Sequence, residues 1–260
     1  MRVRPPAWGK FRNSLAQLAE GLLALVYPPR CLICLKCEQN ASCRCLCEVC
    51  LNRVLTAAIP HVRPWQNPAE THTGLHTCAC DLAAWFYEDG MLALVPHMKY
   101  QNRPSLAKFF ARLAAERLRG AVDVFLSPRK QNPAVASVLV PVPLHPRRQR
   151  ERGYNQSLLI ARVLSAKWNI ALEPGLLRRT RFTQPQAQLN AAERAQNVNG
   201  AFAPMRADRI AGRTVLVIDD VITTGATVSA CARALLQAGA VRVIAVALAR
   251  TGKEFYVKHE

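Results

Sequence analysis

TVLVIDDVITTGAT, residues 214–227, decides how the rest of the chain is read. Residues 215–218 are uncharged and aliphatic, which predicts a short strand buried on both faces of a parallel sheet and ended by two acids, Asp219 and Asp220. Thr223, Thr224, Gly225, Ala226 and Thr227 follow. Then comes VSACARALLQAGA, where Val228, Cys231, Leu235 and Leu236 recur at helical spacing up to a stop at Gly239. Strand, hydroxyl-rich turn and helix in that order aim backbone N–H groups and the positive end of the helix dipole at one place. Gly225 lets an anion approach the backbone and the threonines add donors, so the turn suits a phosphate. Two carboxylates facing that phosphate would repel it; they suit sugar hydroxyls or a divalent cation instead. The combination describes a ribose 5-phosphate. The plain alternative is a βαβ crossover whose turn is merely rich in threonine and glycine.

Four aliphatics, two acids and TTGAT resemble the phosphoribosyl pyrophosphate (PRPP) signature of type I phosphoribosyltransferases, with no position missing. The resemblance implies that Asp219 and Asp220 bind the ribose 2- and 3-hydroxyls and act in catalysis. It puts Val221, Thr223, Thr224, Gly225, Ala226 and Thr227 in the PRPP-binding set, with residues 223–227 around the 5-phosphate and Mg²⁺ accompanying the ligand.

The 260 residues suffice for one α/β domain and a small appendage, and half of them are hydrophobic, so a packed core is expected. Thirty-five Lys+Arg against seventeen Asp+Glu give a charge of +18. That excess favours anionic partners: nucleotides, phosphates or nucleic acid. Basic residues precede an apolar patch near the N-terminus, but Gln17 and Glu20 interrupt it and no small-residue cleavage pattern follows before Pro28. Leu15, Leu18, Leu22, Leu25 and Val26 instead share one face of an amphipathic helix. No run reaches membrane-spanning length, and the expectation is a soluble, cytoplasmic protein.

Nine of the ten cysteines fall between Cys31 and Cys80, which marks a separate module. Cys31 with Cys34, and Cys47 with Cys50, form two CxxC knuckles, each offering two thiolates from a tight turn to a tetrahedral metal; structural Zn²⁺ is expected. Metal binding would supply the folding energy that so few apolar residues cannot. The rival is a disulfide framework. Cys37, Cys43 and Cys45 remain as spares, and Cys78 with Cys80, with His72 and His76 upstream, could hold part of a second site. Residues 60–77 read as linker or irregular loop.

Beyond the linker, residues 82–87 read as a strand. An apolar helix follows from Gly90, interrupted near Pro96, and a helix from Pro104 buries Leu106, Phe109, Phe110, Leu113 and Leu118. Residues 138–142 are the next strand, running into PVPLHPRRQRERGYNQS. Loops at the carboxyl ends of parallel strands form the ligand crevice, and Arg147, Arg148, Arg150 and Arg152 make this one an anion site. Gly153 supplies a turn, Tyr154 could stack on a base, and Asn155 and Gln156 could cap a helix or bond a ligand edge. Arg178, Arg179, Arg181, Gln184 and Arg194 lie in a polar connection, either a cover over the crevice or a solvated face. Residues 241–248 form a last buried strand.

VPVPLH, RERGYNQS, LLRRTRFTQPQAQLNAAERAQNVNGAF and VLVIDDVITTGAT, in that order, resemble the competence protein F family. The resemblance implies an α/β fold: a type I phosphoribosyltransferase-like parallel sheet flanked by helices, with a small N-terminal zinc-ribbon module. The expected organisation is an amphipathic helix over residues 1–30, the cysteine module over 31–80 and the transferase-like domain over 81–260. Pro143, Leu144, Arg147, Arg148 and Arg152 would hold the pyrophosphate. The family is implicated in DNA uptake or the use of external DNA, which implies single-stranded DNA and DNA-uptake machinery proteins as partners. The sequence departs from the family in lacking a third CxxC, which puts a second zinc in doubt. Three functions stay open: a phosphoribosyltransferase with an unknown acceptor, a non-catalytic single-strand-binding accessory, and a nucleobase salvage enzyme.

Overall fold

The computed structural model describes residues 30–36, 45–57, 60, 63–64, 78–101, 103–126, 137–183 and 190–252. The helix expected around Leu15–Val26, together with Cys37, Cys43, His72, His76 and Gln184, lies outside them. The chain divides into two units, Met1–Thr56 and Ala57–Glu260. In the first, helix α1 (Glu48–Thr56) buries Cys50, Leu51 and Val54.

The second unit runs β1 (Arg63–Pro64), β2 (Cys80–Phe86), α2 (Asp89–Tyr100), α3 (Pro104–Leu126), β3 (Ser137–Pro141), α4 (Pro146–Arg152), α5 (Gln156–Trp168) and β4 (Ala171–Leu172). It continues with β5 (Leu177–Arg179), α6 (Ala191–Val198), β6 (Phe202–Pro204), β7 (Thr214–Ile222), α7 (Ala226–Gln237) and β8 (Arg242–Arg250). One sheet has the order β1-β2-β8-β7-β3-β4, and β5 pairs with β6 in a separate antiparallel ribbon. From β2 to β4 the five strands are parallel, with β1 antiparallel at the edge. This is the α/β fold that the sequence predicts.

Alternation sorts the core. Val138, Val140, Val215, Val217, Val243 and Ala245 pack with Val228, Cys231 and Leu235 of α7. Their strand neighbours Leu139, Leu216, Ile218, Ile244 and Val246 are equally buried but outside that cluster, as a strand's two-residue period requires when both faces are covered. Cys78 belongs to the α7 cluster and Cys80 opens β2, so this pair sits in the second unit's core.

Three expectations need correction. β7 does not end at the acids: Asp219 pairs with Ala247, Val221 with Ala249 and Ile222 with Arg250, because β8 continues alongside and satisfies the backbone. Helix α2 is not interrupted at Pro96. Met91, Leu94 and Val95 before or beside the proline and Met98 after it are all buried, and this packing outweighs one missing N–H donor. The arginine segment is not a loop but helix α4, with Pro146 at its first turn, the His145 ring accepting from the Arg147 N–H, and Gly153 closing it at φ +79°.

Phe110 is wholly buried, edge-on to Trp85 at 5.6 Å. Phe110→Ala should lower stability by about 3–5 kcal/mol in denaturant titration; a loss below about 1 kcal/mol would contradict this packing.

Candidate functional site

Residues at the carboxyl ends of β3 and β7 meet the first turn of α5 and the last turn of α2. The Val142 N–H donates to Ile218 O at 2.9 Å, and Asn155 Nδ2 donates to Val142 O at 3.0 Å, tying the exit of β3 to β7 and α5. Asn155 also caps α5, its side chain accepting from the Leu158 N–H.

The acid pair sits at this junction. Asp219 Oδ1 accepts from Ser157 Oγ at 3.0 Å and from the Asp220 N–H at 2.9 Å. Asp220, only 5% exposed, pairs with Lys99 Nζ at 2.9 Å. Burial pushes the Asp219 carboxyl up to about 6, and the Asp220 charge adds to the rise, while Lys99, the Asp220 N–H and Ser157 oppose it.

Tyr154 and Gln156 hold the α2 terminus. The Tyr154 hydroxyl donates to Met98 O at 2.5 Å, and buried Gln156 donates from Nε2 to the same carbonyl at 3.1 Å. Arg152 in turn donates to Gln156 Oε1 at 2.8 Å. The RGYNQ stretch is therefore a helix cap and a clamp next to Lys99, with the Tyr154 hydroxyl engaged on backbone. Lys99 and Ser157 are the site residues that sequence reasoning passed over; their partners lie far along the chain, and no local signal marked them.

After Ile222 the chain turns through Thr223, Thr224 and Gly225. Gly225 has φ +78°, a conformation open to glycine, and stands at the N-cap of α7. A glycine cap supplies no side-chain acceptor; Thr224 Oγ1 lies 3.5 Å from the Ala226 N–H. Thr251 donates its hydroxyl to Thr223 O at 3.1 Å, and its N–H bonds Ile222 O, fixing the start of the turn.

The arginines of α4 are less alike than their spacing suggested. Arg147 is exposed, pairs with Glu151 at 3.1 Å and lies 4.8 Å from the centroid of the Phe182 ring. Arg148 lies 5.4 Å from the same centroid and donates to Thr183 O at 3.4 Å. Pro143 and Leu144 are half-buried in the link from β3 to α4.

In the first unit, the sulfurs of Cys31, Cys34, Cys47 and Cys50 all lie within 4.8 Å of one another, and they are the cluster that could hold a metal ion among the described residues. Cys34 and Cys47 Sγ are 3.7 Å apart, close to the edge of about 3.8 Å that a tetrahedron of 2.3 Å Zn–S bonds requires. Burial works to raise the Cys31 thiol, but the N–H groups of Cys34, Cys47 and Ile33 outweigh it and bring the group to about 6. Burial and the neighbouring sulfurs push Cys50 to about 12. Four thiols crowded this way match a cation better than one another.

A five-stranded parallel sheet with an acid pair and a glycine-opened turn at one strand end defines a phosphoribosyltransferase-type domain, and the phosphoribosyl transferase domain model matches residues 155–259. Competence protein F of Haemophilus influenzae is 31% identical over 165 residues, which span 63% of this chain and 69% of that protein. The DNA utilization protein YhgH of Escherichia coli is 32% identical over 168 residues, 64% of this chain and 69% of that one. Competence protein ComFC of Bacillus subtilis is 31% identical over 138 residues, 53% and 54% of the two chains. TT1426 from Thermus thermophilus overlaps 57% of this chain and 85% of its own at 17% identity, with a TM-score of 0.31. The chain belongs to the competence protein F family.

Asp219, raised above its ordinary value, makes ionisation costlier in the folded than in the unfolded chain, so its contribution falls as pH rises from about 4 through about 6. Asp219→Asn should accordingly gain stability relative to wild type over that interval in thermal melts. A relative stability that is flat with pH, or that moves in favour of wild type as pH rises, would contradict the arrangement.

Proposed function

We propose that the chain binds PRPP or a related ribose phosphate, and that it belongs functionally to DNA uptake or the use of external DNA. One observation carries the first part: an acid pair, Asp219 half-buried and Asp220 buried and paired with Lys99, stands three residues before a glycine-opened, hydroxyl-rich turn at the N-terminus of α7. Carboxylates there accept hydrogen bonds from ribose hydroxyls, and N–H groups at a helix start accept a phosphate. In this reading Asp219 and Asp220 hold the sugar, and Val221 with residues 223–227 surround the 5-phosphate. Pro143, Leu144, Arg147, Arg148 and Arg152 face the pyrophosphate. The acid pair is an oxygen donor set that fits Mg²⁺, which when bound supplies positive charge to the pyrophosphate. The chain's own contribution is positioning and preorganised charge around a ribose whose C1 becomes cationic, with no covalent nucleophile. The DNA role rests on the names of the relatives, Competence protein F and DNA utilization protein.

Calorimetric titration of PRPP, with and without Mg²⁺, should show micromolar-range binding that the Asp219→Asn/Asp220→Asn double variant loses. No binding to folded wild type would overturn the reading.

A second reading, a single-strand-binding accessory, is favoured by Phe182, 41% exposed among Arg147, Arg148 and His145, on a chain of charge +18. An exposed ring flanked by cations suits base stacking and phosphate contact together. Affinity for an oligodeoxynucleotide should then fall steeply with salt; absence of binding at low salt would eliminate it. Both readings are compatible with no described helix being long and apolar enough to cross a membrane.

The four-cysteine site fits Zn²⁺ by its soft donors and tetrahedral edge. About one zinc per chain is expected by elemental analysis, with Cys47→Ser losing the metal and the fold of the first unit. A ratio near two would refute a single site, and a metal-free, folded wild type would refute zinc.

A further inference from the structure

Arg148 of α4 and Arg179 of β5 converge on one residue. Arg148 donates to the Thr183 carbonyl at 3.4 Å, and Arg179 donates through a terminal nitrogen to the Thr183 hydroxyl. Thr183 itself is 5% exposed, so the meeting point is largely removed from water. Arg119, Arg147, Arg209 and Arg250 pair with Asp123, Glu151, Glu173 and Asp81, whereas Arg148 and Arg179 meet no carboxylate among the described residues. Arg179 Nε is buried and has no hydrogen-bond partner. An arginine whose inner N–H is buried and unmet, drawn beside a second guanidinium, carries a cost that a native fold normally avoids. Burial lowers the Arg179 guanidinium from its ordinary value; Cys231 opposes this, Arg148 adds to it and Asp219 opposes it. The arginine thus stands within electrostatic reach of both Arg148 and Asp219. Arg147 and Arg152 differ, being tied to Glu151 and Gln156.

We infer that Arg148 and Arg179, joined across Thr183, form a phosphate-oxyanion site assembled from two separate elements, one that the α4 segment does not make alone. A tetrahedral oxyanion matches a fork of guanidinium donors and separates the two like charges. The phosphate belongs either to a small phosphorylated molecule or to the backbone of a nucleic-acid strand; the chemistry recognised is the same. The inference rests on the pyrophosphate end of the proposed function, where Arg148 already stands, and adds Arg179 and Thr183 to it; it uses neither the acid pair nor the 223–227 turn, so it fails separately from the ribose 5-phosphate part of that reading.

The test is calorimetric titration of inorganic pyrophosphate, and separately of a short oligothymidylate, into full-length wild type, Arg148→Met, Arg179→Gln and Arg162→Met. The last removes one exposed charge on α5 and controls for bulk electrostatics. Arg148→Met and Arg179→Gln should each weaken at least one probe by about tenfold or more, with Arg162→Met within about threefold of wild type. Loss for pyrophosphate assigns the site to small phosphates; loss confined to the oligonucleotide assigns it to a strand. If Arg179→Gln does not fold, Arg148→Met, whose side chain is half-exposed, decides. Unchanged binding in the folded variants, an equal loss in Arg162→Met, or no binding of either probe by wild type overturns the inference. PRPP binding that needs Asp219 and Asp220 but is indifferent to Arg148 and Arg179 would leave the ribose 5-phosphate part of the reading standing and sink this inference together with the pyrophosphate role of Arg148. Arginine-dependent pyrophosphate binding without PRPP binding would do the reverse.

Discussion

Two carboxylates side by side at the end of a buried strand are the constraint around which the second unit is arranged. Asp219 and Asp220 remain in β7 because β8 pairs with the backbone as far as Ile222, so the charges cannot escape by fraying. They need partners where water is scarce. Ser157 on α5 serves one, and Lys99 at the end of α2 serves the other. Lys99 depends on its helix end being held, which Tyr154 and Gln156 do through the Met98 carbonyl. A chain of contacts thus runs from the α4–α5 corner through α2 to the acids, and loss of any link leaves charge buried without a match.

Much of this was legible in the sequence where the chemistry is contiguous. The strand–turn–helix at 214–237, the turn at Gly153, the cap at Asn155 and the two CxxC knuckles each occupy a few consecutive residues, so spacing alone carries them. What was not legible depends on contacts distant in sequence. Lys99 and Asp220 are 121 positions apart by their numbering, and nothing near Lys99 marks it as a counter-ion. Pro96 reads as a helix breaker, yet burial of Leu94, Val95 and Met98 keeps α2 continuous. Arg179 reads as one basic residue among several in a polar connection. Only the β5–β6 pairing, with Phe202 5.3 Å from its guanidinium, separates it from solvated neighbours such as Arg178.

The four arginines of α4 show why a charge run is a weak guide to an anion site. Equivalent by composition, they divide once folded into one paired with a glutamate, one braced on a glutamine, one brought to Arg179 by Thr183 and one, Arg150, exposed. The unit that carries the four cysteines presents the opposite case, since its spacing and its geometry agree on a tetrahedral set.

The most direct test of the account is the crystal structure of the chain with ribose 5-phosphate and Mg²⁺. The prediction is a phosphate within hydrogen-bond distance of the N–H groups of residues 223–227, with the Asp219 and Asp220 carboxylates on the ribose hydroxyls or on the ion. A fully ordered turn with the sugar phosphate bound elsewhere, and Asp220 still closed on Lys99, would contradict it.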